Sequence, residues 1–226
     1  MMHTVAFFEI DEWEQEFLEE RLSGVLRLFF RDAIDGHFLE LENVSIISPF
    51  IYSKITREVL ARIPNLSFIT TRSTGYDHID LTACRERNIL VSNVPVYGEH
   101  TVSEHTFALI LTLSRKTHDS IERTRKGDFT LDGLCGFDLF GKTLGVIGVG
   151  HVGECVAKIA GGFGMKVIAF ERHPDLEKAK RVGYTSVSLD ELLTTADIIT
   201  LHIPLTSETH HFINKEKISL MKKGAF

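Results

Sequence analysis

Short apolar runs alternate with longer amphipathic segments along most of this 226-residue chain. The run Val5–Ile10, for example, is followed by Asp11 and Glu14, which have the spacing of a helix capping box. Parallel strands need long crossover connections, and these are usually helices. The repeated order of strand and then helix therefore predicts an α/β protein whose parallel sheets carry helices on both faces.

The alternation predicts two series of elements, separated by a long helix. In the first series, strands are predicted at Val5–Ile10, Val44–Ser48, Leu66–Thr71 and Ile89–Ser92, and helices at Ile55–Ile63 and Leu81–Arg87. In the second series, strands are predicted at Leu144–Gly148, Lys166–Phe170 and Asp197–Leu201, a further strand is predicted to begin at Gly224–Phe226, and helices are predicted at His151–Phe163, Asp175–Val182 and Lys215–Leu220.

The long helix is predicted over Glu99–Arg115. Val102, Leu109 and Leu113 recur with helical spacing, and other apolar residues fill the opposite side. A helix that is apolar nearly all round is usually buried, for example between two layers or two domains. We therefore expect a domain boundary just before it, which gives domains of residues 1–98 and 99–226.

A glycine-rich turn follows the first predicted strand of the second domain. Gly148, Gly150 and Gly153 have the spacing G-x-G-x-x-G between a strand and a helix. In dinucleotide-binding proteins this spacing allows a tight turn, close approach of the backbone to a pyrophosphate, and close packing of helix on strand. An acidic residue about 20 positions on holds the ribose hydroxyls, and Glu171 has that position. The pattern favours NAD binding; a β-α turn without a ligand remains the alternative.

Three further positions near predicted strand ends have two interpretations each. Arg172 could soften the preference of Glu171 for NAD over NADP, or it could be a solvated surface charge. His202 lies at the carboxyl end of a strand, where α/β sheets bind ligands, but it could equally cap that strand. Thr74 and Gly75 could offer backbone N–H groups to an anion, although a plain turn with Asp80 as helix N-cap is the better interpretation from the residues alone.

Composition and motifs exclude several classes of function. The net charge is −6 without a block of basic residues, so neither nucleic acid nor an anionic membrane surface is expected as a partner. No stretch approaches the ~20 apolar residues of a membrane span. Three scattered cysteines without C-x-x-C predict no disulfide framework and no zinc site, which fits a cytoplasmic location. Adjacent His210 and His211 would point apart on a regular element, so no metal site is expected.

Six stretches together give the chain a family resemblance. RSTGYDHID, NVPVYGEHTVSEHTFALIL, LGVIGVGHVG, FGMKVIAFE, LHIPLTSETHHFIN and MKKGAF occur in this order between about residue 66 and the last residue. The chain thereby resembles the D-isomer-specific 2-hydroxyacid dehydrogenases, especially their D-lactate dehydrogenase-like branch. The resemblance implies a flavodoxin-like N-terminal substrate domain, residues 1–98, and a Rossmann NAD-binding domain, residues 99–226, with NAD in the cleft between them. It also implies a small 2-keto or D-2-hydroxy acid as substrate, and a homodimer.

The resemblance carries further site residues onto this sequence. It implies that His151 and Val152 contact the cofactor pyrophosphate, and that Ile203, Pro204 and Thr209 lie near the cofactor. Thr74 and Gly75 would hold the substrate carboxylate through backbone N–H groups, with Tyr97 near the active cleft.

The family's catalytic arginine, glutamate and histidine would all follow Phe226. We therefore expect that this chain contains no catalytic residue and that it is inactive by itself. We also expect that both domains are incomplete at the C-terminus. The leading hypothesis is an NAD-dependent oxidoreductase that acts on an acid such as pyruvate or D-lactate. The alternative is a non-catalytic NAD-binding sensor or interaction module on the same fold. A protein similar to S-adenosylhomocysteine hydrolase is a third hypothesis, which the motifs of the N-terminal half disfavour.

Overall fold

The computed structural model describes residues 3–226, and it confirms the predicted α/β class. The chain divides into two compact units, with the boundary between Tyr97 and Gly98. Each unit contains one sheet, and every strand pair that it forms is parallel. Within the part of the chain that is described, no helix has the length and apolar character needed to cross a lipid bilayer.

From residue 3 onward, where the structure describes it, the first unit is a five-stranded sheet with three helices. Its elements are β1 (Thr4–Phe7), α1 (Glu12–Arg21), β2 (Leu26–Phe29), β3 (Ile46–Ser48), α2 (Arg57–Ala61), β4 (Phe68–Thr70), α3 (Leu81–Glu86) and β5 (Leu90–Ser92). The strand order is β2-β1-β3-β4-β5, which is the flavodoxin-like order. The sequence patterns did not predict β2, whose four residues are exposed or only half-buried.

Both faces of this sheet are covered, which explains the continuous apolar runs. Ala6 belongs to one buried cluster, whereas its neighbours Val5 and Phe7 belong to a second cluster. Successive side chains of a strand point to opposite faces, so a strand that is covered on both sides needs apolar residues throughout. Helix α1 begins at the predicted capping box, in which the backbone N–H of Asp11 donates to Glu14 Oε2 at 2.9 Å.

The second unit is a four-stranded sheet with six helices among the described residues. Its elements are α4 (Glu99–Arg115), α5 (Thr117–Arg125), β6 (Thr143–Ile147), α6 (His151–Gly162), β7 (Lys166–Phe170), α7 (Leu176–Val182), β8 (Thr185–Ser186), α8 (Leu189–Thr195), β9 (Ile198–Leu201) and α9 (Lys215–Leu220). The strand order β8-β7-β6-β9 corresponds to strands 3-2-1-4 of a Rossmann sheet. The patterns did not predict the polar helix α5 or the two-residue strand β8.

The last residues of the chain lie beside β9 without forming a strand. A strand was predicted to begin at Gly224–Phe226, and the structure assigns none there. Ile199 nevertheless donates its backbone N–H to the Phe226 carbonyl at 2.8 Å, and the Phe226 N–H reaches the Asp197 carbonyl at 3.3 Å. The segment therefore has backbone hydrogen bonds of the kind that a neighbouring strand makes.

Helix α4 has the predicted bounds but is buried on one face only. Ser103, Phe107 and Ile110 are buried, and the Phe107 ring stacks on Phe163 with ring centroids 5.2 Å apart. In contrast, Leu113 on the other face is 58% exposed. The prediction of a helix buried on all sides is therefore wrong for this chain by itself, because nothing in the second unit covers that face.

Candidate functional site

The turn between β6 and α6 requires glycine at two positions. Gly148 has a φ of +91°, a left-handed conformation that residues with a side chain rarely adopt. A Cβ atom at Gly148 would lie 2.6 Å from Ile203 Cγ2 and 2.7 Å from the carbonyl oxygen of His202. A Cβ atom at Gly153 would lie 2.1 Å from the Gly148 carbonyl oxygen. These contacts pack the first turn of α6 tightly against the end of β6.

Gly150 differs from these two glycines because the space beside it is open. A Cβ atom there would meet no atom within 4 Å. Gly150 is also the N-cap of α6, so no side chain satisfies the first backbone N–H groups of that helix. Free N–H groups and the positive end of the helix dipole favour an anion at this position. The turn therefore has the shape and polarity that a diphosphate needs, and NAD fits it on this test.

A pocket of 470 Å³ adjoins this turn at the carboxyl ends of β6, β7 and β9. The structure brings five of the predicted cofactor residues together in its lining: Gly148, Glu171, Ile203, Pro204 and Thr209. Ligands of open α/β sheets bind at this edge, where the strand order reverses. The pocket thus extends from the glycine turn past the acidic residue at the end of β7.

Two side chains that the sequence patterns missed hold the Glu171 carboxylate. Lys178 Nζ on α7 donates to Glu171 Oε1 at 2.6 Å, and the Tyr184 hydroxyl donates to Oε2 at 2.7 Å. Lys178 Nζ also donates to the Val149 carbonyl in the glycine turn at 2.8 Å. Burial, together with the hydrogen bond to Glu171, raises the pKa of Tyr184, so its hydroxyl remains a donor at neutral pH. The carboxylate is consequently fixed at the rim of the pocket.

The pocket rim carries one exposed ion pair. Arg172 directly follows Glu171 and forms a salt bridge with Glu208 on the segment after β9. Both side chains are well exposed and both residues line the pocket. Arg172 therefore lies on the surface, in agreement with its interpretation as a surface charge. That charge is nevertheless paired with the Glu208 carboxylate.

The segment that follows β9 is held in place by its own hydroxyl groups. Thr209 Oγ1 donates to the Pro204 carbonyl at 2.5 Å and accepts from the Thr206 N–H at 2.7 Å. The Thr209 side chain therefore closes a turn between these residues. Its position at the pocket is structurally fixed, and its hydroxyl is engaged within the turn.

His202 contacts the glycine turn through its backbone. Its N–H donates to the Ile147 carbonyl at 2.8 Å, and its ring Nε2 lies 2.8 Å from Thr200 Oγ1. Burial lowers the pKa of His202, so the ring is neutral at neutral pH. His202 does not line the pocket that contains Ile203 and Pro204.

The other predicted residues are not part of the lining of this pocket. His151 is exposed at the start of α6, and Val152 packs against the buried cluster of the second unit. Thr74, Gly75 and Tyr97 belong to the first unit and are all exposed. Asp80 is the N-cap of α3, as predicted, and accepts from the Ala83 N–H at 2.8 Å.

Clusters of metal-ligating side chains are not found among residues 3–226. The two adjacent histidines, however, do not point apart as predicted. The rings of His210 and His211 face each other edge-on, with centroids 3.9 Å apart. The prediction assumed a regular element, whereas both residues lie in a turn in which His211 has a φ of +52°.

Comparisons with known proteins point to one family. The family model described as "D-isomer specific 2-hydroxyacid dehydrogenase, NAD binding domain" matches residues 107–226. A 2-hydroxyacid dehydrogenase homolog of Zymomonas mobilis is 43% identical over 93% of this chain and 61% of its own length. The D-lactate dehydrogenase of Escherichia coli is 37% identical over 77% of this chain and 54% of its own length.

A solved structure gives the same result at the level of the fold. The D-lactate dehydrogenase of Aquifex aeolicus, complexed with NAD and lactic acid, matches with a TM-score of 0.91 and 40% identity. The match covers 96% of this chain and 66% of that protein. The chain therefore spans between about half and two thirds of the length of these relatives.

Proposed function

Because the chain belongs to the D-isomer specific 2-hydroxyacid dehydrogenase family, we propose that the whole protein transfers a hydride between NAD(H) and a small 2-keto or D-2-hydroxy acid, such as pyruvate or D-lactate. The observation that carries this proposal is the glycine turn at residues 148–153 beside a 470 Å³ pocket with an acidic rim. NAD is the cofactor of the matched domain, and the reduced form supplies the hydride.

In this proposal the second unit binds and orients the cofactor. The backbone N–H groups at the start of α6 hold the diphosphate, with Gly150 leaving room for it. His151 and Val152 contribute to this binding as the first residues of the helix. Glu171 accepts hydrogen bonds from the ribose hydroxyls through the lone pairs that Lys178 and Tyr184 leave free. Ile203 and Pro204, which follow β9, provide an apolar wall of the pocket.

The remaining cofactor residues act through the shape of that wall. His202 and Thr209 fix the segment after β9 by the hydrogen bonds described above. Thr209 borders the cofactor in the pocket, whereas His202 acts on the cofactor site through the backbone that it fixes. The neutral ring of His202 is directed to Thr200. It is therefore a poor candidate for the proton donor that reduction of a ketone needs.

The first unit is proposed as the substrate-binding domain. The exposed turn that contains Thr74 and Gly75 would offer backbone N–H groups to the substrate carboxylate, and Tyr97 would lie near the bound acid. By resemblance, the arginine, glutamate and histidine that carry out the proton transfer and polarise the carbonyl follow the position of Phe226. We therefore propose that these 226 residues bind NADH but do not reduce pyruvate.

A homodimer is proposed on the exposed face of α4. Val102, Leu109 and Leu113 present apolar side chains there, and each is 47% or more exposed. A contiguous apolar face of this kind marks an interaction surface, and a second copy would cover it.

The net charge of −6 disfavours nucleic acid as a partner. The three cysteines are free thiols in the structure, which supports a cytoplasmic location.

Calorimetric titration of the purified chain with NADH tests this function. We expect one binding site per chain and no consumption of NADH when pyruvate is added. A folded chain that ignores NADH at millimolar concentration would contradict the proposed cofactor site. Steady pyruvate reduction by the chain would contradict only the absence of catalytic residues.

A further inference from the structure

The Glu171 carboxylate does not stand alone at the pocket. Its side chain is only 8% exposed, and each of its oxygens accepts a hydrogen bond, from Lys178 and from Tyr184. A bare carboxylate at this position discriminates against NADP because it repels the 2′-phosphate. The ammonium group 2.6 Å from Oε1 compensates much of that charge.

Lys178 is well placed to act in this way because two contacts fix its ammonium group. The group binds the Glu171 carboxylate and the carbonyl of Val149, which belongs to the glycine turn. The Lys178 side chain is 20% exposed, so its interaction with Glu171 is less screened by water than that of a surface pair. One side chain thus links the region proposed for the diphosphate to the residue proposed for the ribose.

The second ion pair at the pocket rim adds no net negative charge that would repel a 2′-phosphate. Arg172 and Glu208, which line the pocket with Glu171, form a pair across the rim, and Glu171 is itself paired with Lys178. Arg172 is well exposed and held by this one carboxylate, so its guanidinium is able to turn toward a phosphate. A 2′-phosphate would therefore meet two ion pairs, each of which brings a cation close to it.

We propose that Lys178 is a positioning residue that sets the selectivity of this pocket between NAD(H) and NADP(H), by holding and neutralising Glu171. This inference rests on the proposed function, since it needs the nucleotide to bind at this pocket. Its consequence is weak discrimination: the wild-type chain binds NADPH within about tenfold of NADH. Removing the ammonium group leaves the carboxylate uncompensated and makes the pocket strongly selective for NADH.

A variant of Tyr184 distinguishes the orientation of the Glu171 carboxylate from the neutralisation of its charge. Its hydroxyl contributes a neutral hydrogen bond to the same carboxylate, so Tyr184→Phe removes orientation without changing the local charge. The loss of one neutral hydrogen bond weakens binding by about threefold to tenfold. Since both nucleotides use the same carboxylate region, Tyr184→Phe weakens the two nucleotides to a similar extent and leaves their ratio unchanged.

The experiment is a fluorescence titration of the 226-residue chain with NADH and, separately, with NADPH. Lys178→Met should weaken NADPH by about tenfold or more while NADH changes by less than about threefold. Lys178→Arg keeps the charge and should retain the wild-type ratio. The matched control is Lys180→Met, which removes an exposed lysine from the same helix and should change neither constant. Glu171→Gln leaves the lysine uncompensated and should shift the ratio toward NADPH, which provides a test if Lys178→Met does not fold.

The outcomes separate the two proposals. If the wild-type chain binds neither nucleotide, the proposed function fails and this inference fails with it. Two other outcomes would overturn only this inference. In the first, the wild-type chain and Lys178→Met bind NADH and show the same ratio of NADPH to NADH dissociation constants. In the second, the wild-type chain already binds NADPH more than about a hundredfold more weakly than NADH. Equal weakening of both nucleotides by Lys178→Met would likewise show a purely structural role.

Discussion

Replacing Gly150 with alanine should abolish tight NADH binding without unfolding the protein. The added methyl group meets no protein atom within 4 Å, so the structure accommodates it. The backbone at Gly150 is extended, with a φ of −79° and a ψ of −159°, which alanine adopts readily. The methyl group instead occupies the space in which a diphosphate oxygen would approach the first N–H groups of α6.

The size of the effect follows from the hydrogen bonds that are lost. A hydrogen bond between a backbone N–H and a charged oxygen contributes about 1.5–3 kcal/mol. Losing one of them raises the dissociation constant by about tenfold to a hundredfold, because each factor of ten corresponds to about 1.4 kcal/mol. The free energy of unfolding should fall by less than about 1 kcal/mol, since alanine is only a moderately poorer N-cap than glycine.

Gly161→Ala provides the matched control. Gly161 lies in the same helix, and a Cβ atom there also meets nothing within 4 Å. This variant should bind NADH like the wild type and gain up to about 1 kcal/mol of stability, because alanine favours the helix. Calorimetric titration and urea unfolding of both variants give the two quantities. An unchanged dissociation constant in folded Gly150→Ala would refute the assignment of the diphosphate to this turn.

Three further predictions concern packing, pH and assembly. Gly153→Ala should lower the free energy of unfolding by about 1–3 kcal/mol in urea denaturation, because its Cβ would lie 2.1 Å from the Gly148 carbonyl oxygen. A variant as stable as the wild type would contradict this packing. Burial lowers the pKa of His202, so its contribution to stability is present above the unfolded pKa of about 6.5 and is lost as the pH falls through that value toward the folded pKa. Thermal unfolding at pH 7 and pH 5 should therefore show a smaller loss of stability in His202→Gln than in the wild type, and equal losses would refute this role. Light scattering should find a dimer that Leu109→Ser with Leu113→Ser converts to a monomer, and a monomeric wild type would count against the proposed interface.

The strongly patterned parts of the fold were predictable from sequence. The bounds of α4, β7 and α9 agree with the prediction, because their apolar spacing and their end signals coincide. Strand β2 was not predicted, since LRLF is short and lies at an exposed edge of its sheet. The burial of α4 was overestimated because composition alone does not reveal which neighbour covers a helix face.

The candidate site was predictable where local geometry alone determines it. The glycine spacing and the acidic residue after β7 are local signals, and the structure brings Gly148 and Glu171 to one pocket. Lys178 and Tyr184 carry no such signal, because they reach Glu171 only when the segment after β7 folds back across the strand end. Partners that depend on tertiary packing in this way are the part that sequence patterns leave out.

The pairing of β6 with β9 has a consequence for the order in which the protein is made. Leu144 lies opposite Ile198 in the sheet, and the glycine turn is bounded on one side by His202 and Ile203. A ribosome that has just synthesised the turn still has about fifty codons to translate before it adds those two residues to the chain. During that interval β6 has no partner on the β9 side, so the proposed nucleotide pocket is incomplete until β9 and the residues after it have been made.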